Sequence, residues 1–392
     1  MFYLKVPLAN GIQIQAEVRG DNVFTHCSCC GNEMLIDDEM VDRLEKCAKI
    51  AHEEAPSILF SPINGLRGVE YCWSDSDYGT PIVEKPFKHN PRRLEKLQSF
   101  SDVFSSFAHG QLSYLSVDGN PEEIDSWQDV LKLPRISHEI CIHGTYPDLS
   151  LEERYKNSRI AKTDIFSGPR RMLDELGLLH RAPVYYNNSC KWQQLMRKQT
   201  FENARLTKTL SGYDFLGDID HHWHTSGYRV GMMNEFYELK PGETIENVRR
   251  YNSESVVLSD IGTKRTFCEN DNIEFNFFTS LYGGEDIENG KLFVRLVNPL
   301  AKSFVRQEFS INAKNGETSK IATFKAVAPK VSTPVKIEMY ARVSGGEYEL
   351  ENKWDFWVFP KKEISQGNVI VTRELTRDVL EELENGASVL ML

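Results

Sequence analysis

Two apolar runs in this 392-residue chain end in a carboxylate. The first begins at Val23 and closes on Cys29-Cys30-Gly31-Asn32-Glu33; the second is Pro134-Arg135-Ile136-Ser137-His138-Glu139-Ile140. A Glu at the C-terminal end of a barrel strand points into the mouth where active sites lie. Two such carboxylates on different strand ends can share one sugar-sized cleft, one as acid/base and one as nucleophile. The structural alternatives are a Glu33 that caps the next helix and a Glu139 held in a salt bridge.

The densest polar cluster is Asp218-Ile219-Asp220-His221-His222-Trp223-His224. Asp and His at alternate positions could share one metal ligand sphere, but no partner Cys or His pair at structural spacing occurs elsewhere. A sugar-binding rim is the other reading, with Trp223 stacked on a pyranose face and Asp220 and His222 bonding its hydroxyls. Within Phe107-Ala108-His109-Gly110, His109 is a candidate to face the same cleft, and Tyr114 a candidate core residue. Cys27, Cys29 and Cys30 share one short strand and read as packing rather than as a thiol nucleophile. Gly284 to Lys291 is no phosphate loop, because its glycine spacing is wrong and Leu292 stands where Ser or Thr is required.

These groups must be positioned by the first 245 or so residues, where helical patterns alternate with short apolar runs. Asp38 to His52 is a helix, with Val41, Leu44, Cys47, Ala48 and Ala51 at i, i+3, i+4 spacing. Ser57 to Ser61 reads as a strand, and Ser150-Leu151-Glu152-Glu153 as a capping box. Helices are predicted from Arg170 to Leu176, closed by Gly177, and from Cys190 to about Leu210; Gly212 to Asp220 follows as a strand. Such alternation means βα units around a parallel sheet. Only six residues separate Glu17 from Phe24, however, too few for a crossover helix.

From about residue 253 the period becomes two. Ile273, Phe275 and Phe277 alternate with polar residues, as do Leu292, Val294 and Leu296, then Val335 to Val343, then Trp354, Phe356 and Val358. Short strands with turn signals at Gly283-Gly284 and Gly345-Gly346 predict a β-sandwich of about 100 residues. The last residues predict a β-α-β beginning: strand Val369 to Val371, helix Thr376 to Leu383, and an apolar strand from Ser388 that is expected to continue beyond Leu392.

Four motifs in order carry a resemblance: Gly31-Asn32-Glu33; Ser137-His138-Glu139 leading to Gly144-Thr145-Tyr146-Pro147-Asp148; Gly212 to Asp218; and Gly231-Met232-Met233-Asn234 with Lys240-Pro241. Over residues 10 to 360 the chain resembles the late part of glycoside hydrolase family 2, which includes β-galactosidases, β-glucuronidases and β-mannosidases. The resemblance implies an α/β plus all-β fold, with a (β/α)8 TIM-type barrel over residues 1–250 and an immunoglobulin-like sandwich over 251–362; the pattern at the end adds a further α/β start over 363–392. The resemblance also implies Glu33 as acid/base, Asn32 as ligand of the sugar 2-hydroxyl and Glu139 as nucleophile; His109, His138, Asp220, His222 and Trp223 are the candidates to surround the substrate. No cofactor is needed for that chemistry. The family's Asn-x-Lys grip on uronic acids occurs here only as Asn312-Ala313-Lys314 in the sandwich, so a uronic acid is not favoured.

A barrel needs about 250 residues, yet the Asn-Glu pair arrives at 32–33. The barrel is therefore expected to be N-terminally incomplete, and to be completed by self-association or by a complementing chain. The expected function is a retaining β-glycosidase acting on terminal sugars; a non-catalytic carbohydrate-binding or partner subunit is the second reading, and a metal-dependent hydrolase using the Asp-His cluster a third. A formal charge of −11 with no basic block argues against nucleic acid and anionic membranes as partners. With no signal peptide and no disulfide spacing, a cytoplasmic location is expected.

Overall fold

A computed structural model describes residues 2–7, 13–19, 22–25, 38–62, 91–106, 121–126, 132–157, 164–221, 229–298, 303–361 and 369–391. The first strands, β1 (Phe2–Pro7), β2 (Gln13–Arg19) and β3 (Asn22–Thr25), form an antiparallel meander with Val6 opposite Ile14 and Glu17 opposite Phe24. They do not belong to a parallel sheet. The short link between β2 and β3 allows a hairpin, whereas a parallel crossover needs a dozen or more residues.

Helices α1 (Asp38–Glu54) and α2 (Pro91–Phe100) share a small core with β4 (Phe104–Ser106), built on Val41, Leu97 and Phe104. Val41 and Ala48 of the expected α1 face are buried, but Cys47 is exposed. It lies about 120° around the helix from Val41, off the apolar stripe. Ser57 to Ser61 joins no ladder. Asp102 takes that role for Phe60: its carboxylate accepts the Phe60 N–H at 2.8 Å and its own N–H donates to the Phe60 carbonyl at 3.0 Å.

After α3 (Pro121–Ser126) comes β5 (Arg135–Ile140), flanked by β4 and by β6 (Gly212–Phe215) in a three-stranded parallel sheet. Among the described residues, these are the parallel strands that could belong to an eight-stranded barrel, and they do not close one. Between β5 and β6, a 3-10 helix over Leu149–Tyr155 is capped by Asp148, whose carboxylate accepts from the Ser150 N–H and hydroxyl. The expected cap at Ser150 is thus displaced by two residues, since the carboxylate reaches the orphan amide first.

Helix α4 (Asp164–Glu175) ends at Gly177, whose φ of +67° lets the Leu178 N–H turn back to the Leu173 carbonyl. Helix α5 (Ala182–Leu206) begins eight residues before the expected Cys190. Pro183 sits in its first turn, where the missing N–H would have no partner anyway. The helix covers the sheet through Phe201, packed edge-on against Tyr213, Phe215 and Tyr251 beside Ile140 and Cys141.

Past α6 (Ile245–Arg249) the described residues form the strands of a sandwich: β7 (Val256–Ser259), β8 (Thr266–Cys268), β9 (Asn272–Leu281), β10 (Ile287–Val297), β11 (Ser303–Ala313), β12 (Glu317–Val327), β13 (Val335–Gly345) and β14 (Tyr348–Phe359). One sheet runs β11-β10-β13-β14-β8 and the other β12-β9-β7, and one apolar core lies between them. The expected inward residues are there: Phe275, Phe277, Leu292, Val294, Ile337, Met339, Ala341, Val343, Trp354 and Phe356 are all buried. Finally β15 (Val369–Thr372) and β16 (Ser388–Met391) pair in parallel around α7 (Arg377–Glu384), as a β-α-β unit requires.

A buried polar knot ties α5 to the sandwich. Glu202, 1% exposed, accepts from the Asn352 side-chain amide at 2.8 Å and the Trp354 indole N–H at 3.0 Å, and pairs with Lys198 one turn back. The Lys198 ammonium also lies 4.7 Å from the Trp354 ring centroid.

Candidate active site

Strand β5 is the middle strand of its sheet, buried at Arg135, Ser137 and Ile140. In parallel sheets ligands gather beyond the carboxyl ends of the strands; on β5 that end is Glu139. Ser137 pairs with Tyr213, but the next paired residues are Ile140 and Phe215, so β5 carries one extra residue opposite Asp214. This is a β-bulge, which bends a strand and re-aims its side chains. Glu139 lies in it with φ +51°, and its N–H donates to Oδ1 of Asp214 at 2.8 Å. Cys141, two residues on, is also left-handed, with φ +62°. Such conformations are uncommon for residues other than Gly, Asn and Asp, and clusters of them mark functional segments.

The segment after β5 is anchored from both sides. The His143 carbonyl accepts from the Gln193 side chain of α5 at 2.7 Å, and Gln193 in turn accepts from Arg197 at 3.2 Å. Arg197 forms a buried ion pair with Glu243 at 2.7 Å. Burial, helped by the Arg197 charge, lowers the His143 imidazole to about 4 and keeps it neutral near pH 7. Burial pushes the Cys141 thiol up to about 12, partly offset by Arg197, and the side chain packs in the core beside Ile140 and Phe201.

On the β6 side, the Lys240 ammonium, 1% exposed, donates to Asp220 Oδ1 at 2.8 Å, the Arg229 carbonyl at 3.0 Å and Thr145 Oγ1 at 3.1 Å. The Gly231 N–H donates to the same Asp220 oxygen at 2.8 Å. Burial raises the Asp220 carboxyl and lowers the Lys240 ammonium, each against the pull of the other. A side chain at Gly231 would place its Cβ 2.4 Å from the Asp220 backbone nitrogen, so only glycine fits. This knot joins the segment after β5, through Thr145, to the one after β6.

Of the residues singled out by sequence, the structure brings Glu139 and His138 to the end of β5 and puts Asp220 in the Lys240 pair. Asn32, Glu33, His109, His222 and Trp223 lie outside the described residues. Among the described residues, no group of three or more His, Cys, Asp or Glu could hold a metal ion. Asp214, Thr145, Gln193, Arg197 and Glu243 were not anticipated. The i, i+4 spacing of Gln193 and Arg197 on one helix face was the available signal, and for Lys240 it was the Lys-Pro pair.

Residues 271–360 match a family described as a domain of unknown function (DUF8488). No curated protein matches the chain by sequence. Among solved structures, a family 123 glycoside hydrolase from Clostridium perfringens that acts on glycolipid glycans is similar at 11% identity and TM-score 0.21, over 31% of this chain and 30% of that one. The chain therefore spans under a third of that hydrolase's length. The CARDB domain of a Pyrococcus furiosus protein, in complex with di-metal ions, is similar at 12% identity and TM-score 0.21, over 27% of this chain and 92% of that one. An FMN-binding β-glucuronidase from Facaelibacterium prausnitzii is similar at 9% identity and TM-score 0.27, over 83% of this chain and 39% of that one. Glycoside hydrolases are thus among the structures it resembles in part. No helix among the described residues is long and apolar enough to cross a membrane.

Proposed function

We propose that the chain is a glycoside hydrolase removing terminal β-linked sugars by double displacement, with Glu139 as nucleophile and Glu33 as acid/base. The observation that carries this reading is Glu139 itself: a glutamate at the carboxyl end of the central strand of a parallel sheet, in a bulge and with a left-handed backbone. Its carboxylate would attack the anomeric carbon while the acid/base protonates the departing oxygen; water activated by the same group then releases the sugar with retention, which requires carboxyl groups about 5–5.5 Å apart. His109, His138, His222 and Trp223 would surround the sugar, and Asn32 would bind its 2-hydroxyl. The test is a panel of aryl β-glycosides offered to the purified chain. Phenol release that Glu139→Gln abolishes supports the reading, and release that survives the substitution refutes it.

Among the described residues the parallel β4-β5-β6 sheet has three strands and does not close a barrel, which favours a second reading, a sugar-binding subunit that needs another chain to complete one. That protein would bind sugars in calorimetry without releasing phenol, and would self-associate or capture a complementing chain.

A further inference from the structure

We propose that Asp214 is a positioning residue: by accepting the Glu139 N–H, its carboxylate holds the β5 bulge and so sets the direction in which the Glu139 side chain leaves the strand. The proposal rests on Glu139 being the nucleophile. The geometry comes from three independent features. The register slips by one residue between Ser137 and Ile140 on β5, with Asp214 alone opposite the slip on β6. A bulge of this kind leaves a residue without its ladder partner, and the Asp214 side chain supplies the acceptor at 2.8 Å. The residue so held is also the one with φ +51°, a conformation that a glutamate adopts only when its surroundings impose it.

An unbulged strand would present residue 139 to the opposite face of the sheet, because side chains alternate along a strand. The bulge therefore decides which side of the sheet Glu139 faces, and the bond to Asp214 decides whether the bulge persists. Tyr213 and Phe215 on either side pack against Phe201 of α5, so β6 is a fixed support for that carboxylate.

The test compares Asp214→Ala, which has no acceptor, with Asp214→Asn, whose amide oxygen still accepts the N–H. Two readouts are needed: hydrogen exchange at the amide of residue 139, and the rate at which a 2-deoxy-2-fluoro-β-glycosyl fluoride labels Glu139, followed by peptide mass spectrometry. Asp214→Ala should lose exchange protection at residue 139 and label more slowly by about 10²-fold, the scale of a displaced reacting group. Asp214→Asn should recover most of both. Unchanged protection in Asp214→Ala overturns the proposal, as does lost protection with labelling at the unmodified rate. No labelling of the unmodified protein by galactosyl, glucosyl and mannosyl reagents would refute the nucleophile assignment and, with it, the positioning role. The exchange readout would still decide whether Asp214 holds the bulge.

Discussion

Replacing Glu202 by alanine should remove more stability than any other single change between α5 and the sandwich. Its carboxylate is the shared acceptor for the Trp354 indole, the Asn352 amide and the Lys198 ammonium, with Trp354 2% exposed and Asn352 fully buried. Alanine leaves the indole N–H without that acceptor, at about 1–3 kcal/mol. It leaves Lys198, whose ammonium burial already lowers to about 8, without its counter-charge. Asn352 loses less, because its side-chain amide also donates to the Val257 carbonyl at 2.8 Å. Breaking a buried pair by removing one partner costs about 3–5 kcal/mol, so the expected loss is about 4 kcal/mol. Glu202→Gln keeps one oxygen acceptor and should lose about half of that. The pair Lys198→Met with Glu202→Leu should cost less than its two single changes added, by about 1–3 kcal/mol. Urea unfolding followed by tryptophan fluorescence and by far-ultraviolet circular dichroism provides the assay. In the unmodified protein the two curves should coincide, and in Glu202→Ala they should separate as the sandwich and the α/β unit lose their coupling. A loss below about 1 kcal/mol with coincident curves would refute the claim that this knot joins them.

The remaining predictions concern the candidate site. Glu33→Ala should retain the first step on aryl glycosides with good leaving groups and recover turnover with azide as a β-glycosyl azide, whereas Glu139→Ala should form no covalent intermediate; product analysis separates them. The folded pKa of His143 lies below its unfolded value of about 6.5, so the unfolded chain takes up this proton first as pH falls. Stability present above about pH 6.5 should therefore decline toward pH 4, by about 3 kcal/mol from this group, and unfolding measured across that range should be flatter in His143→Gln. Lys240→Met leaves the buried Asp220 carboxylate without its counter-charge and should cost about 3–5 kcal/mol. Adding Asp220→Asn should recover part of it, as read by urea midpoints.

The sandwich was legible because each sheet has one face in the core, which forces alternation at Ile337, Met339, Ala341 and Val343. The strand carrying Glu139 was legible for a similar reason, as an apolar run ending in a charge. The apolar run at Ser57 to Ser61 misled because hydrophobicity alone does not distinguish a strand from a segment held by a distant carboxylate, here Asp102. The bulge at Glu139 could not be read, since its partner lies 75 residues away and the bonded group is a backbone amide common to nearly all residues. Glu202 was equally silent: its meeting with Trp354 spans 152 residues, and a glutamate on a helix ordinarily signifies a solvated face.

The parallel pairing of β8 with β14 has a consequence for the order of assembly. Thr266 to Cys268 bond to Trp357 to Phe359, so the first strand of the larger sheet is joined by its last. Phe356 of β14 packs edge-on against Phe267 of β8 and, across the core, tilted against Phe275 of β9. As the chain emerges from the ribosome, the larger sheet cannot be sealed until some ninety residues after its first strand has appeared. Contacts this distant in sequence form slowly, and until they form, the aromatic half of the core is open to water or to a neighbouring nascent chain. Closure of the larger sheet therefore waits for the sandwich's own final strand.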